Sequence, residues 1–260
     1  MIGIKSIKAN SRLTKRNMDY IGEYEKLKAQ GFPFNESLDF SLAIGRSEDI
    51  ETHFKLYCLE MERPAEERKL HLSATFAEHG RAGGEYLLSL LCGDETAASH
   101  AVFLLASDRF RSAYGLSPDE KTMIRREAVQ LTESSDPIVR RRSIIVIGWI
   151  GTAEEIPLLN RHLLTDEDVL CRAWSASSFL QMTPLTPGER EALQINTKDS
   201  LIECLKTEQD VYVKGTAVEA IMEVWDVSFG LRSSAVEDRN QKAVDRAAKK
   251  ALLFLEQGKR

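Results

Sequence analysis

The chain has 260 residues, of which 43% are hydrophobic and 29% charged, with a formal net charge of −5; that is enough apolar material for a packed core and too much for a disordered protein. Only 7 Pro and 15 Gly leave little room for long linkers or a turn-rich β-sandwich, so helix is favoured, and the net acidity argues against a dedicated nucleic-acid binder. No stretch approaches the roughly 18–20 apolar residues of a bilayer span and the start lacks the apolar core of a signal peptide, so a cytoplasmic protein that does not engage membranes is expected.

The opening 16 residues hold five Lys or Arg and no acid, which reads as a solvated basic terminus. Three helices follow: 17–31, amphipathic with a glycine stop, 35–45, and 47–61 with Ser47 as its cap. Residues 1–65 are expected to form an N-terminal helical cap region.

From there the chain repeats. Starting at Asp136, an acid is followed by Val139 and Arg140 at offsets three and four, the small Ser143 at seven and Ile147 at eleven. Comparable offsets run from Asp94, Asp166, Asp210 and Asn240, with a poorer copy from Glu67. Asp or Asn in front of a helix accepts hydrogen bonds from its free first-turn amides, so Asp94, Asp136, Asp166, Asp210 and Asn240 are assigned as repeat N-caps. Offsets three, seven and eleven share one helical face, and the small residue at seven lets a neighbouring helix approach. Between anchors runs a second helix, as in 152–164 and in 197–207, where Thr197 reads as its cap. Helix pairs repeated at this spacing make an α-solenoid, because one pair cannot bury its apolar face alone.

The anchors are separated by 27, 42, 30, 44 and 30 residues, so alternate repeats carry insertions, near 107–121 and 182–196. Both contain a similar element, LSPDEK at 116–121 and LTPGER at 185–190, with Ser117 or Thr186 placed to cap an added turn. The fold expected is all-α, an α-α superhelix of about five to six helix pairs over 66–260 behind the N-terminal cap, in one continuous structural unit.

The acid, the Val-Arg pair, the small residue and the Gly148-x-x-Gly151 ending resemble HEAT repeats of the short phycobilisome-lyase-like type. The resemblance is strongest over 122–181, fair over 84–106 and 197–256, and weak before about residue 65. It implies an acid–base ladder between successive repeats, patchy here because Leu170, Ala98 and Val244 stand where Arg140 and Lys214 keep the base. It also implies that the second helix of each pair lines a concave groove.

No catalytic or metal constellation is found. The five histidines form no HExxH, HxH or His-Glu pair, the chain having only the reversed Glu78-His79, and no phosphate-binding loop or nucleophile elbow occurs. The stretch GRAGG at 80–84 reads as a helix stop and restart. Cys58, Cys92, Cys171 and Cys204 form no C-x-x-C pair and read as reduced, buried small hydrophobes. No cofactor and no metal is expected.

Overlaying the repeats leaves one row that could bind. Offset six gives His100, Arg142 and Arg172; offset nine gives Phe103 and Ile145; offset thirteen gives Trp149 and Phe179. Stacked helices would align these as a cationic row flanked by aromatic and aliphatic anchors, suited to an acidic or phosphorylated partner. Trp174 and Trp225 fall at other offsets and read as packing.

The function expected is therefore a non-enzymatic protein–protein interaction module, of adaptor, assembly-factor or toxin-neutralising type, monomeric, with another protein in its groove. Two alternatives rest on resemblance. One is a HEAT-like DNA alkylpurine glycosylase, with Trp149, Arg142 and Asp168 imitating its lesion site. The other is a bilin lyase or lyase chaperone.

Overall fold

A computed structural model describes residues 19–183 and 187–258. The basic groups of the first 16 residues, and Thr186, lie outside these. The chain divides into two compact units, Met1–Leu72 and Ser73–Arg260.

The first unit holds α1 (Tyr20–Ala29), α2 (Phe34–Gly45) and α3 (Ile50–Glu62). Asp19 caps α1, accepting from the Gly22 amide, and the apolar stripe of these helices closes on Tyr24, Leu27, Phe40, Ile44, Phe54 and Tyr57. Ser47 does not cap α3. Asp49 does, accepting from the Thr52 amide at 3.2 Å, while Ser47 Oγ accepts from the Asp49 amide and donates to the Ile44 carbonyl. Glu60 is buried here, accepting from the Tyr24 hydroxyl at 3.0 Å and from Arg63 at 3.2 Å.

The second unit begins with short turns of helix, α4 (Leu72–Phe76) and a 3₁₀ turn at 77–79, so the copy anchored on Glu67 forms no repeat helix. Gly80, at φ 53°, takes the left-handed backbone that ends this turn, as the GRAGG stretch requires. Helix pairs follow: α5 (Gly80–Ser89) with α6 (Glu95–Ala106); the short α7 (Asp108–Tyr114); α8 (Pro118–Leu131) with α9 (Pro137–Ile150); α10 (Ile156–Thr165) with α11 (Val169–Gln181); α12 (Pro187–Thr207) with α13 (Val211–Val224); and the short α14 (Ser233–Glu237) with α15 (Gln241–Gln257). Among the described residues this unit is therefore an all-α, HEAT-like solenoid of five pairs, the last with an abbreviated first helix.

The second helices stack in order, α6 on α9, α9 on α11, α11 on α13 and α13 on α15. At offset seven from each cap sit Ala101, Ser143, Ser175, Ala217 and Ala247, all at most 1% exposed. Small side chains there let the helices approach, and at offset eleven Leu105, Ile147, Phe179, Ile221 and Ala251 fill the space between layers. Each Leu, Ile or Phe so buried contributes on the order of 1.5–3 kcal/mol.

The described residues of both insertions are largely helical. The residues near 107–121 supply α7, the left-handed turn at Gly115 and the start of α8, where Ser117 and Glu120 form a reciprocal capping box. Residues 187–196 form the first part of α12, which runs unbroken through Thr197. That threonine is a buried mid-helix residue whose hydroxyl donates to the Leu193 carbonyl at 2.8 Å.

Candidate functional site

The caps set the register of the stacked second helices. Asp94, Asp136, Asp210 and Asn240 cap α6, α9, α13 and α15. Asp166 does not cap α11: Asp168 does, accepting from the Cys171 amide at 2.8 Å. The repeat between α9 and α11 is thus 32 residues rather than 30, and every assignment on α11 moves by two positions.

The moved register gives the ladder two equivalent rungs. Arg140, at offset four, donates through Nε and Nη2 to Asp166 Oδ2 and Oδ1, at 3.1 and 2.9 Å, and through Nη1 to the Ser134 and Ser135 carbonyls. Arg172, again at offset four, donates to Glu208 Oε2 at 2.7 Å and to the Asp166 and Glu167 carbonyls. Lys214 is next, with Asp245 at 3.9 Å. The accepting acids also take the amide two residues on, Asp168 N to Asp166 and Asp210 N to Glu208. With Asp168 as the cap, Arg172 and not Leu170 is the base of that repeat.

Electrostatics follows the geometry. Burial acts to raise the pKa of Asp166 and of Glu208, yet the hydrogen bonds from Arg140 and Arg172 and from the nearby amides win and hold both carboxyls below their usual range. Asp168 is held far below it, chiefly by the Arg141 guanidinium, whose Nε donates at 2.7 Å.

The predicted cationic row is not assembled. His100 and Phe179 are both 0% exposed and belong to the core, and Arg172 is committed to Glu208. Arg142 reaches α6 and donates to Ser99 Oγ at 3.1 Å. Phe103, Ile145 and Trp149 do reach the surface half-exposed, with the Phe103 and Trp149 rings 4.9 Å apart.

In the corrected register offsets two, six, nine and thirteen form one helical stripe, which reaches the surface on α9, α11 and α15 but is closed at offset six on α6 and α13, where His100 and Thr216 are buried. On α9 these are Ile138, Arg142, Ile145 and Trp149; on α11, Leu170, Trp174, Ser177 and Gln181. Ile138 is 50% exposed and the others are half-buried. Trp174, read from sequence as packing, lies in the row of Arg142, on the same open face as Trp149. The signal that finds it is the Cys171-Arg172 pair following Asp168 as Val139-Arg140 follows Asp136. On α13 the same offsets are Tyr212, with the Arg239 guanidinium over its ring, the buried Thr216, and Glu219 and Glu223, so only the C-terminal half of the stripe is acidic.

The glycosylase-like trio is not gathered either: Asp168 stands at the start of α11 and Trp149 near the end of α9. Among the described residues no three His, Cys, Asp or Glu side chains are grouped to hold a metal ion, and no helix is long and apolar enough to cross a membrane.

Stacked helix pairs joined by a repeated acid–base ladder define a helical-repeat solenoid. Residues 85–179 of the chain match the family model for HEAT repeats, the part that includes α6, α9 and the corrected α11. No curated protein and no solved structure matches the chain.

Proposed function

We propose that the chain is a non-enzymatic protein-binding scaffold of adaptor or assembly-factor type that holds a partner protein on the open face of its second helices, and that its repeats are of the short phycobilisome-lyase-like type. One observation carries this reading: Phe103, Ile138, Ile145, Trp149, Leu170 and Trp174 reach the surface on α6, α9 and α11, while Arg141 is paired with Asp168 and Arg142 hydrogen-bonds Ser99. A contiguous apolar patch on an otherwise charged surface marks a contact site, and tryptophans among aliphatic neighbours are the usual energetic anchors of such contacts. HEAT repeats generally serve protein interaction, which agrees with this reading.

The partner contact at this centre is apolar rather than anionic, since Arg172 and His100 are withdrawn from it. The test is affinity capture from the native host with Trp149→Glu and Trp174→Glu variants, beside Ile195→Glu on α12, where Ile195 is 69% exposed. Specific partners should be lost from the first two and kept by the third. Equal recovery from all three would contradict the reading.

A further inference from the structure

The open face continues beyond α13 onto α15, and its chemistry changes there. Counted from the Asn240 cap, offsets two, six, nine and thirteen are Lys242, Arg246, Lys249 and Leu253, all exposed. They stand at i, i+4, i+7 and i+11, a single stripe. The two acids of α15 are both engaged elsewhere: Asp245 accepts from Gln241 and faces Lys214, and Glu256 pairs with Lys206 at 2.7 Å. Lys250 donates to the Phe229 carbonyl. Among the described residues Lys242, Arg246 and Lys249 have no carboxylate within ion-pair reach. Like charges at these spacings oppose helix formation, so the stripe costs stability that the ladder elsewhere in the unit does not.

Building on the scaffold reading above, we propose that the partner segment seated on this face carries an apolar block and an acidic block separated by a short spacer, and that Lys242, Arg246 and Lys249 receive its carboxylates. Stacked helices lie about 8–10 Å apart, so α15 is roughly 20 Å from the Trp174 helix, which is about six residues of extended chain. Glu219 and Glu223 on the intervening α13 disfavour acid in that spacer, so the acidic block falls at α15. The same two carboxylates repel a continuous phosphate backbone running along the stack, which favours discrete carboxylates on a peptide over nucleic acid. Leu253, 46% exposed at the end of the stripe, offers the acidic block an apolar contact.

The test uses the full chain and a fluorescein-labelled synthetic peptide with a Trp/Leu block, a Gly/Ser spacer of about six residues and a run of Glu, beside an otherwise identical Gln peptide, read by fluorescence anisotropy. Wild type should bind the Glu peptide about tenfold more tightly than the Gln peptide, and increasingly so at low salt. K242E/R246E/K249E should abolish that preference while binding the Gln peptide as wild type does. The proposal is overturned if wild type shows no Glu preference, if the triple variant keeps it, or if duplex DNA or phosphatidylserine vesicles bind more tightly than the Glu peptide through the same three residues. A Trp149→Ala/Trp174→Ala variant separates the two readings. If it loses affinity for both peptides and no Glu preference exists in wild type, only the present proposal fails; if it binds both normally while the preference holds, the aromatic reading fails instead.

Discussion

The Arg140 guanidinium holds Asp166 by two hydrogen bonds across a repeat boundary, with the two side chains 9% and 3% exposed. The same guanidinium binds the Ser134 and Ser135 carbonyls, and Asp166 also takes His162 Nδ1 at 2.9 Å. Removing one partner of such a buried pair strands the other, which costs about 3 kcal/mol or more. Asp166→Ala should therefore lower unfolding stability by about that amount in urea titration. Glu133→Gln, which breaks the exposed pair with Arg161, should cost less than about 1 kcal/mol. Equal effects would show that the ladder contributes no more than a surface pair.

Acid should loosen the solenoid before it affects much else. Asp166, Asp168 and Glu208 have folded pKa values below their unfolded values, which are about 3.9 for Asp and 4.3 for Glu. A depressed folded pKa contributes stability that is complete above the unfolded value and is lost as pH falls through the folded one. Urea midpoints should stay level from pH 7 to about pH 5 and fall steeply below about pH 4. In Asp168→Asn, which keeps a capping side chain but loses the charge facing Arg141, that acid slope should be shallower. An unchanged slope would remove Asp168 from the account.

Gly148 lets α9 and α11 meet. A Cβ built there would lie 2.8 Å from Ser178 Oγ and 3.0 Å from Ser178 Cα, the latter being backbone that cannot rotate away. Gly148→Ala should destabilise by roughly 1–3 kcal/mol despite the better helix propensity of alanine. A neutral or stabilised variant would mean that the two helices have room to part.

The cysteines should react in order of their surroundings. Burial is the main force raising the Cys171 and Cys204 thiols to about 12, whereas Cys92 is exposed. Iodoacetamide at pH 8 should label Cys92 in the native protein and leave Cys171 and Cys204 intact until denaturant is added, as peptide mass spectrometry would show. Native labelling of Cys171 would place it outside the stack.

The helical repeat was legible because its signals are local: a capping acid, a small residue at offset seven, an apolar residue at eleven. What sequence misplaced was register and topology. Asp166-Glu167-Asp168 offers two aspartates that could each cap α11, and an aspartate that caps looks no different from one that accepts an arginine from the preceding repeat. Choosing the first sent Phe179 to the groove and Trp174 to the core, the reverse of where they sit. Thr197 misled in the same way, because a hydroxyl before an apolar run suits a cap and equally suits a bond to the carbonyl one turn back. His100 illustrates a different limit, since it shares the stripe's offset and yet is fully buried, so offset alone does not decide exposure.

The claim on which the functional account turns is that partners seat on the open face of α9 and α11. Site-specific incorporation of a photo-crosslinking amino acid at Ile145 and Trp174, and at Ile195 on α12 as control, followed by irradiation in the native host and mass spectrometry, tests it most directly. The account predicts one specific adduct from the first two positions and none from the third. No adduct at Ile145 or Trp174, or the same adduct from all three, would contradict it.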